Sequence, residues 1–325
     1  MGRLKRFRLD FLGGGGAEEE RQDLVNKSSP STFLSRNYIV LTLTSAIWNL
    51  GYSITETYFS LYVFELGGTE SVIGLVSAVA SMSYILSLII GGQLADVYGR
   101  KKVLGITTLA LGASQVLLAL VPNWQSLVLA VIVVNFCWIG EPAFWAMLAD
   151  SIREEHRGKA YSLFSSVSFL PWVIMPYIGG KIIDVKGTLV AMRLVYFSLS
   201  VLGVLAGILH LSLLNETLTP ARDITVSFRN LKGIIGITIR SLKEHFNTWL
   251  SMSRPLLALS VTYMLWSLEE GLTGPYWIVY AKEEIGISSS EWGSLVSIGN
   301  LVSLALKSFV VGKMLDKFRR MTVLL

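Results

Sequence analysis

From residue 37 onward, apolar positions fall in runs of about twenty, separated by short polar or glycine-bearing segments. About twenty residues is the length at which an α-helix crosses the hydrocarbon core of a bilayer. The runs predict eight helical spans, at 37–64, 70–91, 103–121, 125–148, 160–183, 188–214, 256–281 and 290–311. Helices are required because lipid offers no partner to free backbone groups, and the alternating ten-residue pattern of a membrane barrel is absent. Connections such as 66–69 and 122–125 are short, so neighbouring helices should be antiparallel. The predicted fold class is an all-α membrane protein with about eight transmembrane helices in bundled, pseudo-repeated halves, the second half incomplete.

Composition agrees with this pattern. The chain has 325 residues, of which 52% are hydrophobic and only 16% charged, with a mean hydropathy of +0.55; a soluble domain carries about 25% charged residues. The net charge of +5 would suggest nucleic acid for a soluble protein, but here the cations lie between the apolar runs. They are also asymmetric: 23 of the 28 Lys and Arg residues fall in the tail and in the segments 92–102, 150–159, 215–255 and 312–320. Positive residues stay on the cytoplasmic side, so the N-terminus and those segments are expected in the cytoplasm of a plasma-membrane protein. Residues 1–36 read as a basic cytoplasmic tail without the apolar stretch and small-residue cleavage site of a signal peptide. Segment 215–255 separates a six-helix bundle (37–214) from a partial second bundle (256–325), and its Leu231, Ile234, Ile235, Leu242 and Phe246 recur at the spacing of an amphipathic helix on the inner leaflet.

The two parts repeat one another at an offset of about 220 residues. Trp48, Tyr58, Tyr62, Gly74 and then Gly92-Gln93-Leu94-Ala95-Asp96-Val97-Tyr98-Gly99-Arg100 in the first copy correspond to Trp266, Tyr276, Tyr280, Gly293 and Gly312-Lys313-Met314-Leu315-Asp316-Lys317-Phe318-Arg319-Arg320 in the second. Shared hydrophobicity would mean little, but the same order of aromatics, glycine and Gly-x-x-x-Asp-x-x-x-Arg is hard to obtain by chance. Parallel repeats of six spans are one plan of secondary transporters.

Gly92-x-Leu94-Ala95-Asp96-x-x-Gly99-Arg100-Lys101 resembles the signature loop of the major facilitator superfamily, between its second and third spans. The copy containing Gly312, Asp316 and Arg320 sits where that family carries its second loop. Asp150 with Arg157-Gly158-Lys159 resembles the loop after span four, and Asn215-Glu216-Thr217 the end of span six. The resemblance implies a transporter whose signature loop latches two bundles in one state of its cycle. In physical terms, Gly92 permits close helix approach, Asp96 sits at a helix end among cations, and Gly99 allows a tight turn. The family usually has twelve spans, and this sequence carries eight and the start of a ninth. The run Pro176-Tyr177-Ile178-Gly179-Gly180 is similar to the span-five motif of the family's drug–proton antiporters, with Met175 where that motif has glycine.

Ionisable residues at mid-bilayer are costly and mark function. At about 1.5 Å per residue, Glu269 and Glu270 lie about 20 Å from both ends of span seven, and Glu141 lies at a similar depth in span four, as does the polar Asn49 in span one. These carboxylates are candidate proton carriers, and Asn49, Glu141, Trp266, Glu269, Glu270, Tyr276 and Asn300 are the candidate cavity residues. Glu56, near the end of its span, reads as a wetted vestibule residue. A structural ion pair, for instance of Glu269 or Glu270 with Lys307, is the competing assignment. There is no phosphate-binding glycine loop with lysine, and His156, His210 and His245 lack metal-ligand spacing. Neither a cofactor nor a metal is expected, nor enzymatic chemistry. The expected partners are a small solute, protons and lipid. Two functions remain open: a proton-coupled secondary transporter, and a transport-inactive membrane protein serving as sensor or assembly partner.

Overall fold

The computed structural model describes residues 34–218, 249 and 251–306. These contain helices and no strand. The helices are α1 (Arg36–Glu65), α2 (Glu70–Tyr98), α3 (Arg100–Leu120), α4 (Trp124–Phe136), α5 (Glu141–Asp150), α6 (Arg157–Lys186), α7 (Thr188–Leu213), α8 (Arg254–Thr273), α9 (Trp277–Glu283) and α10 (Ser289–Ala305). Short polar residues start several of them by capping free N–H groups. Ser35 accepts from Tyr38 at α1, Asn123 accepts from Ser126 at α4, and Ser288 forms a reciprocal capping box with Glu291 at α10.

Helices occupy the described part of every expected span, residues 307–311 of the last lying outside it, with three corrections. Span four is not continuous: a 3-10 turn at Cys137–Gly140 separates α4 from α5. Pro142, in the first turn of α5, has no N–H to donate to the carbonyl four residues back. The Glu141 N–H instead bonds the Trp138 carbonyl, the tighter 3-10 spacing. Span seven breaks for the same reason at Gly274–Tyr276, around Pro275. Third, the 92–102 segment is hardly a loop. Helix α2 continues to Tyr98, Gly99 alone joins it to α3 with φ +89°, and only glycine adopts that conformation freely.

Among the described residues, five stretches are long and apolar enough to cross a membrane by length and composition: Glu70–Tyr98, Arg100–Leu120, Trp124–Asp150, Glu154–Lys186 and Thr188–Leu213. Helix α1 is long enough, but its Thr, Ser, Asn and Tyr residues lower its hydropathy; α8 carries Glu269 and Glu270. Large apolar side chains such as Met82, Leu129 and Val201 are exposed on the helices' outer faces, as lipid-facing surfaces require.

Helix α3 lies along α7, α1 packs on α6 and α7, and α2 packs on α4. Small residues make the closest approaches. A Cβ on Gly112 would lie 2.4 Å from the Val204 backbone nitrogen, and one on Gly203 would lie 2.6 Å from Gly112 Cα, so α3 and α7 cross backbone to backbone. Helix α10 lies along α6. The hydrogen bonds that join the two bundles run from the end carrying residues 66–69 and Ser288 down to mid-span, where Asn300 donates to the Trp172 carbonyl at 2.9 Å. Nearer that end Ser60 donates to the Pro275 carbonyl, and Asp184 accepts the backbone N–H groups of Ser289 and Ser290 at 3.0 and 2.9 Å.

Candidate functional site

Inside the first bundle α1, α3, the 137–140 turn, α5, α6 and α7 enclose a cavity of about 230 Å³. Its wall is aromatic. Trp138, presented by the 3-10 turn, sits at the hub: its ring centroid is 5.9 Å from Trp48, 6.0 Å from Tyr52 and 6.3 Å from Tyr84, in edge-on contacts. Such arrangements align the positive ring edge with a negative face. Tyr52 also meets Trp172 of α6 at 6.1 Å.

Glu141 lines this cavity, and the break at Pro142 positions it at the first residue of α5. One carboxylate oxygen accepts from the Tyr84 hydroxyl at 2.5 Å and the other from Trp145 Nε1 at 3.1 Å. No cation pairs with it among the described residues. The carboxylate is therefore oriented by two neutral donors, and no cation among the described residues cancels its charge. Two buried polar atoms of the wall, Trp48 Nε1 and Ser168 Oγ, have no hydrogen-bond partner there.

The other candidate residues separate into groups. Asn49 lines the cavity, but its amide is engaged: it donates to the Ser168 carbonyl at 2.8 Å and accepts from Trp172 Nε1 at 3.3 Å. Asn300 is bonded to Trp172 and belongs to the bundle contact. Tyr276 donates to the Glu70 carbonyl at 3.2 Å, at the 66–69 end. Trp266, Glu269 and Glu270 lie on α8, which buries none of its residues among the described ones; Glu269 accepts from Thr273 on the same helix. They do not join Glu141.

His210 is the wall residue that sequence reasoning missed. It is 4% exposed, and its two ring nitrogens lie 2.9 Å from Thr44 Oγ1 and 3.2 Å from Thr108 Oγ1. A histidine within an apolar span was the available signal; grouping it with His156 and His245 obscured it. Tyr52, Tyr84 and Trp138 were missed as well. For Trp138 the signal was its spacing of three and seven residues from Glu141 and Trp145, one helical face.

At the opposite end three of the resemblance motifs meet. Arg100 pairs with Asp150. Glu216 accepts the backbone N–H groups of Arg100 and Lys101 at 3.2 and 3.0 Å, capping α3 with a carboxylate where the helix dipole favours one. Asn37 and Asn215 bond reciprocally at 2.9 and 2.8 Å. These partners all belong to the first bundle or the segment just after it. Asp96 forms no ion pair among the described residues, and Arg157 pairs only with exposed Glu154. Close approach falls one residue before the expected Gly92: a Cβ there would meet nothing within 4 Å among the described residues, whereas one on Gly91 would lie 2.0 Å from the Ile139 carbonyl oxygen. Adjacent helical positions point about 100° apart, and Gly91 is the one that faces the 137–140 turn. Gly312, Asp316, Arg320, Lys307 and the expected amphipathic helix lie outside the described residues.

The sequence profile of the Major Facilitator Superfamily matches residues 32–325. The chain belongs to this superfamily. It is similar to the quinolone resistance protein NorA of Staphylococcus aureus, strain Mu50, with 20% identity over 290 residues, which is 89% of this chain and 70% of the relative. It is also similar to the MFS-type transporter MJ1560 of Methanocaldococcus jannaschii, with 22% identity covering 90% and 72%. Among solved structures, a peptide transporter POT in complex with alafosfalin aligns with a TM-score of 0.67 at 16% identity, over 92% of this chain and 72% of that one. A bacterial homologue of the human lysosomal transporter Spinster, inward-facing and unoccupied, aligns at 0.61 and 15% identity over 90% and 64%. Membership makes this a multi-pass membrane protein of a transporter family that acts on small molecules, with the helical fold described above.

Proposed function

We propose that this protein is a proton-coupled secondary transporter of an aromatic solute bearing a positive charge, working by alternating access in the plasma membrane with its N-terminus in the cytoplasm. The observation that carries this reading is Glu141: a carboxylate held by two neutral donors, in an aromatic cavity, with no cation paired to it among the described residues. Such a group has two natural partners, a proton or a cation, and binding one displaces the other. That exclusion is the minimal device for coupling a solute to a proton gradient. The rings of Trp48, Tyr52 and Trp138 add cation–π attraction of about 0.5–2 kcal/mol each, according to how far the cation is desolvated. The similarity to a protein named for quinolone resistance supports an aromatic solute.

The basic segments at the Gly99 end support a cytoplasmic location for that end. The bundles, joined toward the 66–69 end, then correspond to an inward-facing state. In proteoliposomes with an imposed pH gradient, flux of an aromatic cation such as ethidium is expected, accompanied by proton movement. Glu141→Gln is expected to keep the Tyr84 and Trp145 contacts in part while uncoupling flux from the gradient. Ethidium flux that ignores the gradient in the parent protein would remove proton coupling from this reading. Flux unchanged by Glu141→Gln would remove Glu141.

A further inference from the structure

Three pairs of residues are equivalent in the sequence repeat: Tyr58 and Tyr276 at an offset of 218, and Gly74 with Gly293 and Glu70 with Ser289 at an offset of 219. The fold brings them together crosswise. The Tyr58 hydroxyl of the first repeat lies 2.9 Å from the Ser289 carbonyl of the second, and the Tyr276 hydroxyl of the second lies 3.2 Å from the Glu70 carbonyl of the first. Each hydroxyl also sits against the equivalent glycine of the opposite repeat. A Cβ on Gly293 would come within 2.5 Å of Tyr58 Oη, and a Cβ on Gly74 within 2.9 Å of Tyr276 Oη. Glu70 and Ser289 are the first residues of α2 and α10. Reciprocal contact, in which i touches j′ and j touches i′, is the mark of an interface built on a two-fold relation.

We propose that Tyr58 and Tyr276 are paired positioning residues of the transport cycle, forming a crosswise hydroxyl-to-backbone latch that closes the 66–69 end and is released each time that end opens. The inference rests on the alternating-access reading above. The chemistry suits a contact that must break repeatedly. A neutral hydroxyl-to-carbonyl bond has a modest net strength and leaves no unpaired charge behind, whereas separating a buried ion pair would. Ser289 and Glu70 lend the second lone pair of a helix carbonyl, so the helices stay intact on release. A side chain at Gly293 would crowd both the Pro176 carbonyl and the Tyr58 hydroxyl, and one at Gly74 would crowd the Tyr276 hydroxyl.

The two halves of the latch differ in their surroundings. Tyr58 is fully buried, and its single hydroxyl proton is shared with the nearer Pro176 carbonyl of its own bundle, at 2.7 Å. Asp184 beside it holds the first N–H groups of α10. Tyr276 is only partly buried, with a single longer bond. Burial strengthens the Tyr58 bond while the Pro176 carbonyl competes for its proton, so the two halves are expected to contribute comparably.

Spin labels at Val185→Cys and Ile285→Cys, both exposed, one in each bundle and outside the latch, report separation at this end by pulsed EPR. The background is Cys137→Ser, since Cys137 is the chain's one native cysteine. Without solute or gradient, Tyr58→Phe and Tyr276→Phe are each expected to raise the ratio of open to closed distances roughly threefold, the double variant giving about their product. Gly293→Ala should shift the distances in the same direction with both hydroxyls intact. Melting temperatures near the parent's show that the variants are folded. Phe and Ala variants that keep the parent's distances overturn the latch. If the parent opens under a gradient and the variants match it, the latch falls and the transport reading stands. If the variants open but no solute moves, the transport reading falls and the latch stands.

Discussion

Single atoms decide much of this protein's behaviour because its close contacts are made by backbone. At Gly112 an added methyl would lie 2.4 Å from a backbone nitrogen and 2.5 Å from a carbonyl carbon of α7, and neither can swing aside. Gly112→Ala is therefore expected to lower stability by about 1–3 kcal/mol, the range for overpacking, read as a fall in the thermal midpoint in detergent. Gly158→Ala is the contrast: nothing lies within 4 Å of its Cβ position, and relief of glycine's chain entropy should leave stability equal or higher by up to about 1 kcal/mol. Glu141 was legible as a site residue because a carboxylate in mid-span is conspicuous. Its partners were not. Tyr84 precedes it by 57 residues, and no local pattern distinguishes that tyrosine from one anchored at the membrane surface. His210 had the same difficulty, since Thr44 and Thr108 approach it from two other helices.

At the scale of elements, run length located the spans because apolar length is a local property of sequence. Breaks within the runs were harder. Pro142 and Pro275 are the signals, yet both are embedded in apolar stretches whose hydropathy reads as continuous helix, while Pro171 and Pro176 lie inside an α6 that runs unbroken. Proline alone therefore does not say whether a span divides. The break matters at α5, where it sets the direction of Glu141. Pro142→Ala restores a donor and should let α4 continue into α5; a loss of at least roughly tenfold in ethidium affinity is expected, about 1.4 kcal/mol, measured by quenching of tryptophan fluorescence. The signature segment gives another test. Glu216→Ala leaves the Arg100 and Lys101 N–H groups without their acceptor and should cost about 0.5–2 kcal/mol, as loss of a helix cap does. Arg157→Ala, which removes only an exposed pair, should cost less than about 1 kcal/mol. Thermal unfolding of the two variants side by side checks both.

For the whole molecule, the repeat was readable as a repeat, and its consequence in space was not. That Tyr58 and Tyr276 correspond in sequence says nothing of where they point; the crosswise contact exists only once the two bundles are set against each other. Orientation can be checked directly: a tag fused ahead of Met1 should resist protease added outside intact cells and be cut after permeabilisation, and the reverse would invert the assignment of the inward-facing state. The α3–α7 crossing bears on the motion itself. Where two backbones touch at Gly112 and Gly203, no side chains lie between them to slip or repack, so that joint has no give. A helix of 21 residues such as α3 is roughly 30 Å long. A tilt of about 10° then carries its far end through about 5 Å. The first bundle is in effect a lever without a spring. In the proposed alternating-access cycle, whatever loosens at one membrane face would reach Gly99 at the other nearly undiminished, the aromatic cavity beside that joint keeping its shape while its exit changes sides.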